Sequence, residues 1–424
     1  MTDSTSPPLM VIGAGIAGVT TALEAAEAGR EVILVEREPS IGGRVLRSHH
    51  YFPKLCPPSC GMEINTRRLE RNPRVRVLVD STIQAAERNG AGWSVTVRSG
   101  PRYVNDRCTL CGECSKVCPA DVPDPFNLGM MEVKAIRQAH LDAWPMRYVL
   151  DREACPDGCQ ACVEACKYDA IQLDAEATEE TLEVGAIVIA TGWKPYPIDK
   201  LTDLGGGTLD DVIANVQLER LAAPAGPTGG KILRPSNGEP PKRVAFVQCA
   251  GSRDHEHLPY CSGVCCLASL KQATYVKEQI PDAEVTMYYI DRRAMGRNED
   301  VLTAVAAMEG VQLMKGKVGK ITRGPDGALS LRVEDVDSGK LIDATADLAV
   351  LATGMVPNLG DGSLPFDVKH DADGFGLDDF DAHLFVAGVT RRPEDVSSSV
   401  RDATGAAARA CAATVAQAAT VGGA

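Results

Sequence analysis

Cys108, Cys111, Cys114 and Cys118, with Pro119 directly after, carry the CxxCxxCxxxCP spacing of a bacterial ferredoxin run. Cys155, Cys159, Cys162 and Cys166 form a second run in the same stretch. Thiolates are soft, anionic ligands that suit iron, so the two runs point to two [4Fe-4S] clusters. In two-cluster ferredoxins the fourth cysteine crosses over. One cluster is then expected on Cys108, Cys111, Cys114 and Cys166, the other on Cys155, Cys159, Cys162 and Cys118. The second run departs from the pattern. Cys155 and Cys159 are one residue further apart, and Lys167 replaces the usual proline. A zinc ribbon or chance spacing is the competing reading.

Gly13, Gly15 and Gly18 make a GxGxxG turn between an apolar strand, 9–12, and an Ala/Glu-rich helix expected from about Val19 to Ala28. Gly13 permits the tight bend. Gly15 lets backbone N–H groups reach a pyrophosphate, with Ile16 and Ala17 beside it, and Gly18 lets helix and strand pack closely. Glu36, next to Arg37, closes the following strand, where a carboxylate would accept ribose hydroxyls. Gly42-Gly43-Arg44 follows, as in FAD proteins that wrap the diphosphate, and favours FAD over NAD. Two Ala-Thr-Gly repeats end in Thr191-Gly192 and Thr353-Gly354. Gly388 leads to a last helix starting near Val396. With Ser398 in its first turn, that helix would aim its partial positive charge at the flavin O2 edge.

A third thiol set, Cys249, Cys261, Cys265 and Cys266, follows a strand at 244–247. A flavoprotein with two dinucleotide folds carries its second glycine fingerprint at such a place. The turn here reads Gln248-Cys249-Ala250-Gly251-Ser252-Arg253, so NAD(P)H has no obvious cradle. Buried structural cysteines are the competing reading, but adjacent Cys265-Cys266 rarely arises as packing. Lys271 is either a solvent-facing cation or a donor to flavin N5. Cys56 and Cys60 read equally as a redox pair, extra ligands or inert thiols. Cys411, in the tail helix, reads as core.

The elements that must hold these residues are those of an α/β protein. The fold class is a two-dinucleotide-binding-domain, disulfide-reductase-like FAD fold with an inserted α+β two-cluster ferredoxin module. Residues 1–100, 171–200 and 345–424 would form the FAD domain, 101–170 the insertion, and 201–344 a second Rossmann-like domain. Residues 199–243, rich in Gly and Pro, read as a linker and extended loop. The 424 residues have room for two or three domains, and 44% apolar content argues against disorder. A net charge of −13 disfavours nucleic acid as a partner. Residues 1–8 are polar and do not read as a signal peptide, and no apolar stretch reaches membrane-spanning length. With cysteines at metal-ligand spacing, a reducing cytoplasmic compartment is expected.

The FAD fingerprint, Phe52-Pro53-x-x-Cys56, Pro101-Arg102-Tyr103-Val104 and Cys249…Tyr260-Cys261-Ser262-x-x-Cys265-Cys266 resemble the flavin-binding A subunits of heterodisulfide reductases. That resemblance implies a third [4Fe-4S] cluster on Cys249, Cys261, Cys265 and Cys266, with Lys271 near the flavin. The chain looks still more similar to the A subunits of quinone-interacting membrane-bound oxidoreductases (Qmo). Gly61-Met-Glu-Ile-Asn65, Pro227–Pro235, Cys249–Asp254, His257–Cys261 and Cys266–Gln272 carry that likeness. It implies FAD and up to three clusters, with adenylylsulfate (APS) reductase and a quinone-reactive membrane subunit as partners. It also implies a place at the inner face of the membrane, held by those partners. Three alternatives remain: a heterodisulfide-reductase-like subunit that works with thiol or disulfide carriers, an NAD(P)H–ferredoxin oxidoreductase, and a scaffold with vestigial clusters.

Overall fold

The computed structural model describes residues 7–52, 55–360, 362 and 364–421, with side chains as far as Thr414. The polar residues 1–6, and Pro53 and Lys54 of the Phe52–Cys56 stretch, lie outside them.

Five parallel strands form the first sheet, in the order Leu384–Val386, Ala186–Ile189, Leu9–Ile12, Val32–Val35 and Val75–Leu78. Its three central strands are buried at every position, which is why they read as unbroken apolar runs. Helices Ile16–Glu27 and Val396–Val421 pack on one face, with Leu23, Ala403 and Ala407 in the shared core. A three-stranded antiparallel sheet covers the other face through Ile83, Trp93, Val95 and Val97. The first helix starts at Ile16, three residues before the expected Val19, because the glycine turn runs straight into it.

The insertion sits in that antiparallel sheet. Strand Gly92–Ser99 leaves it and strand Thr178–Val184 returns, with Ser99 directly opposite Thr178. Inside, Val104 bridges Ile171, and Gln172 N–H donates to the Tyr103 carbonyl at 2.8 Å. The cassette has two short helices, Glu113–Val117 and Ala161–Ala165, and two small ribbons. Its core combines Val104, Val122, Ile136 and Ile171 with Cys114, Cys118 and Cys162.

The second sheet has seven strands: Val212–Ala214, Leu348–Thr353, Arg243–Ala250, Glu284–Tyr289, Val311–Arg323, Leu329–Asp335 and Lys340–Ala346. The first five run parallel and the last two form antiparallel hairpins. Two expectations are corrected here. Leu348–Thr353 does not open the last FAD-domain segment, as the sequence suggests, but pairs between two strands of the second sheet. The FAD domain resumes only after the ribbon of Trp193–Pro195 with Met355–Pro357. The stretch 199–243 is not loop throughout, since it holds strand Val212–Ala214 and helix Asn215–Ala222. Both are too short for periodicity to stand out among so many glycines and prolines.

Candidate functional site

The glycine turn, the carboxyl ends of the first sheet's strands and the Gly43-Arg44 segment line a cleft of about 410 Å³. Gly13, Gly15, Ile16, Ala17, Glu36, Arg37, Gly43, Arg44, Thr191 and Gly192 all line it. A side-chain carbon on Gly18 would overlap the Gly13 carbonyl oxygen, so that glycine sets the helix–strand approach. Gly42 stands just behind the wall: its N–H donates to the Ala14 carbonyl at 2.8 Å, and this folds Gly43 over Gly15. Glu36 accepts N–H bonds from Ala14 at 2.6 Å and Glu38 at 2.9 Å. Burial holds its carboxyl above the ordinary carboxylate range. Each oxygen keeps a second lone pair for a ribose hydroxyl.

Arg44 is the cleft's most telling group. Its guanidinium lies 4.5 Å from the Trp193 ring centre, and burial lowers its pKa to about 10. No carboxylate pairs with it among the described residues. A half-buried cation without an anion, beside N–H groups at a helix start, fits the diphosphate of FAD. Trp193, Lys194, Asn358 and Ser399 also line the cleft and carried no motif to reveal them.

Other expected residues lie elsewhere. Thr353 and Gly354 end a strand of the second sheet, where the Thr353 carbonyl accepts from the Cys265 thiol at 3.5 Å. Each Ala-Thr-Gly repeat closes its own domain's sheet, so only the first reaches the cleft. Gly388 is flanked by the cleft-lining Ala387 and Val389, and its N–H donates to Asp402 at 2.8 Å. Ser399, not Ser398, lines the cleft. The Ser398 N–H is taken by the Asp395 carboxylate at 2.7 Å, which caps the helix start.

In the cassette, Cys108, Cys111, Cys114 and Cys166 line one small cavity with Tyr148 and Ile171. This is the crossing set. Burial raises the Cys162 pKa, Cys155 and Cys159 beside it add to the rise, and Cys118 is buried in the same core. Burial pushes the Cys114 thiol up to about 11. The eight cassette cysteines form no disulfide. Among the described residues no three His, Cys, Asp or Glu side chains close around a single metal ion. The crossing of the two runs is the arrangement of a two-cluster ferredoxin, and it favours clusters over zinc.

The third set also converges. Cys249, Cys261 and Cys266 each act electrostatically on Cys265, which starts helix Cys265–Gln279 and which burial pushes well up. Cys249 adopts a left-handed φ of 55°, turning the chain out of its strand. A side-chain carbon on Gly251 would lie 3.0 Å from both Tyr196 and Leu201. Gly251 thus packs closely against Tyr196 and Leu201 in the turn after this strand.

Lys271 does not line the flavin cleft. Its Nζ meets the Glu219 carboxylate at 3.0 Å and the His50 carbonyl at 2.5 Å, where the second Rossmann-like domain meets the FAD domain. Glu219 also accepts from Gln272 at 2.7 Å and from the His49 N–H at 2.9 Å. The adjacent Arg220 turns the other way. It donates to Asn127 of the cassette at 2.8 Å and to the Arg47 carbonyl at 2.9 Å, and lies over the Phe126 ring. His140 stacks on Phe126 with ring centres 4.5 Å apart.

Burial, helped by Arg47 and Arg220, lowers the His140 pKa to about 4. The unfolded chain then takes up a proton that the folded chain refuses between about pH 6.5 and 4. Stability should fall as pH drops through that window, by at most about 1.4 kcal/mol per pH unit from this group. Melting temperature followed against pH checks this, and His140→Phe should flatten the slope.

Comparison with known proteins bears on the same residues. The model of a 4Fe-4S dicluster domain matches residues 107–171, and that of an NAD(P)-binding Rossmann-like domain matches 11–82. The chain is 36% identical over 416 residues to the A subunit of the H(2):CoB-CoM heterodisulfide,ferredoxin reductase of Methanothermobacter thermautotrophicus, covering 95% of this chain and 63% of that protein. It is 35% identical over 419 residues to the iron-sulfur A subunit of the CoB--CoM heterodisulfide reductase of Methanocaldococcus jannaschii, covering 94% and 63%. The chain therefore spans less than two thirds of these relatives' length. In fold it is similar to thioredoxin reductase from T. acidophilum (TM-score 0.53, 13% identity, 96% of this chain and 99% of that one). It is also similar to the bacillithiol disulfide reductase Bdr of Bacillus cereus (TM-score 0.54, 13% identity, 97% and 99%). FAD and [4Fe-4S] clusters are the cofactors that these domains and this cleft accommodate.

Proposed function

From homology to heterodisulfide reductase A subunits, we propose that this chain is an FAD/iron–sulfur electron-transfer subunit of a multi-subunit oxidoreductase. When bound, FAD supplies two-electron chemistry and the clusters one-electron chemistry. The chain's own residues do the holding. Gly13, Gly15 and Arg44 seat the diphosphate, the crossing thiols seat two clusters, and Cys249, Cys261, Cys265 and Cys266 would seat a third. One observation carries the reading: the second dinucleotide turn lacks a GxGxxG and instead brings Cys249 together with Cys261, Cys265 and Cys266. That favours iron–sulfur over nicotinamide as the electron route.

The finer reading is a Qmo-type subunit, passing electrons between the quinone pool and APS reductase from the cytoplasmic face of the membrane through partner subunits. The long stretches at 227–235, 249–254 and 266–272 support it. Among the described residues no helix is long and apolar enough to cross a membrane, so contact with a quinone is assigned to a partner. Anaerobic purification with bound partners tests both levels. One flavin and about twelve irons per chain are expected, that is, three [4Fe-4S] clusters, with no rapid bleaching by NADH or NADPH. Rapid bleaching overturns the coarse reading, and absence of iron supports a scaffold. Co-purified APS reductase supports the finer reading, and a heterodisulfide-reducing subunit in its place overturns it.

A further inference from the structure

Gln248 is 7% exposed, and neither its amide nitrogen nor its amide oxygen has a hydrogen-bond partner. Native proteins rarely bury a primary amide this way. Such a group marks something missing from the protein atoms alone. Gln272, buried on the helix that Cys265 begins, is the contrast. Its amide nitrogen donates to the Asn215 carbonyl at 2.8 Å and to Glu219 at 2.7 Å, and only its amide oxygen lacks a partner. Gln248 instead precedes Cys249 and shares with Cys266 a cavity of about 20 Å³. Leu270, Leu302 and Leu313 line it with apolar side chains, and Tyr289, Arg292 and Arg293 line it too without bonding the Gln248 amide. Further along the turn, the Ser252 hydroxyl is 4% exposed and equally unpartnered. Two orphaned polar groups thus bracket Cys249.

A cluster here would change that balance. The free Cys266 thiol donates to the Asp291 carbonyl at 3.6 Å. Once ionised on iron it can only accept. Four thiolates and the cluster's own sulfides would be rich in acceptors. Within the cluster's own loop, the Gly263 N–H donates to the Cys261 sulfur at 3.4 Å. We propose that the Gln248 amide donates an N–H···S bond to the cluster held by Cys249, Cys261, Cys265 and Cys266, raising its reduction potential. The bond stabilises the more negative, reduced form most, because hydrogen bonds to sulfur are among the determinants of cluster potential. Gln248 is a positioning and tuning residue, not a ligand. The assignment rests on the third-cluster reading above.

Redox titration followed by EPR on the anaerobically purified holoprotein tests it. Gln248→Leu keeps the volume and removes the donor. The expected result is a shift of the third cluster's one-electron equilibrium toward the oxidised form by roughly tenfold, about 59 mV. The two cassette clusters should hold their potentials and the iron content should not change. Gln248→Asn, which keeps an amide, should restore part of the shift. An unchanged potential in a fully loaded Gln248→Leu protein overturns the assignment. Should that variant fail to load, wild-type protein labelled with ¹⁵N in the glutamine side chains decides: pulsed EPR of the reduced third cluster should show a ¹⁵N coupling, and its absence overturns the proposal. A wild-type count of about eight irons means two clusters instead of three, and overturns the cluster reading itself, which keeps the two failures apart.

Discussion

Cys166→Ser should abolish the cluster whose other thiols are Cys108, Cys111 and Cys114, and leave the cluster of its own run intact. The shared cavity of those four cysteines carries the expectation. Iron should fall from about twelve to about eight per chain, one [4Fe-4S] cluster fewer. Cys118→Ser should do the same to the set at Cys155, Cys159 and Cys162. Pairwise variants make the test sharp. Cys108→Ser with Cys166→Ser should lose no more iron than either alone, because both strike one cluster. Cys108→Ser with Cys118→Ser should lose both. If each run instead served its own cluster, the two double variants would exchange outcomes.

Breaking the Glu219–Lys271 pair should cost about 3–5 kcal/mol, because removing one partner leaves a buried, uncompensated charge. Both side chains are more than nine-tenths buried. Glu219→Ala also strands the His49 N–H and leaves the Gln272 amide nitrogen with the Asn215 carbonyl alone. Glu219→Leu combined with Lys271→Met should recover most of the loss, since a well-packed apolar pair often equals a buried ion pair. The measurement is the denaturant midpoint of the first unfolding transition across the four proteins of the cycle. Equal and additive losses would mean that the pair does not act as a unit.

Much of the fold was legible because its signals are local. The GxGxxG turn, its flanking strand and helix, and the spacing of the cassette cysteines lie in short windows of sequence. The crossing of Cys118 and Cys166 is implied by the ferredoxin pattern, and the cavity at Cys166 agrees with it. What sequence hid is tertiary. Thr353-Gly354 repeats Thr191-Gly192 letter for letter, but strand pairing sends the two to different sheets. Lys271 was visible as a cation, whereas its partner Glu219 lies on a helix read as loop. Trp193 showed no motif, because its role comes from stacking on Arg44 across the chain. Asp395 took the helix start that Ser398 was expected to offer, a choice made by side-chain geometry.

The facing pair of Ser99 and Thr178 has a consequence for how such a protein arises. To its host, the whole cassette is a hairpin loop. The host strands keep the same register whatever the loop contains, so a gene could acquire or shed the wiring without redrawing the flavin domain. The lineage's harder problem would then be orientation, and Arg220, reaching from a third domain to Asn127, is where such a borrowed module becomes fixed in place.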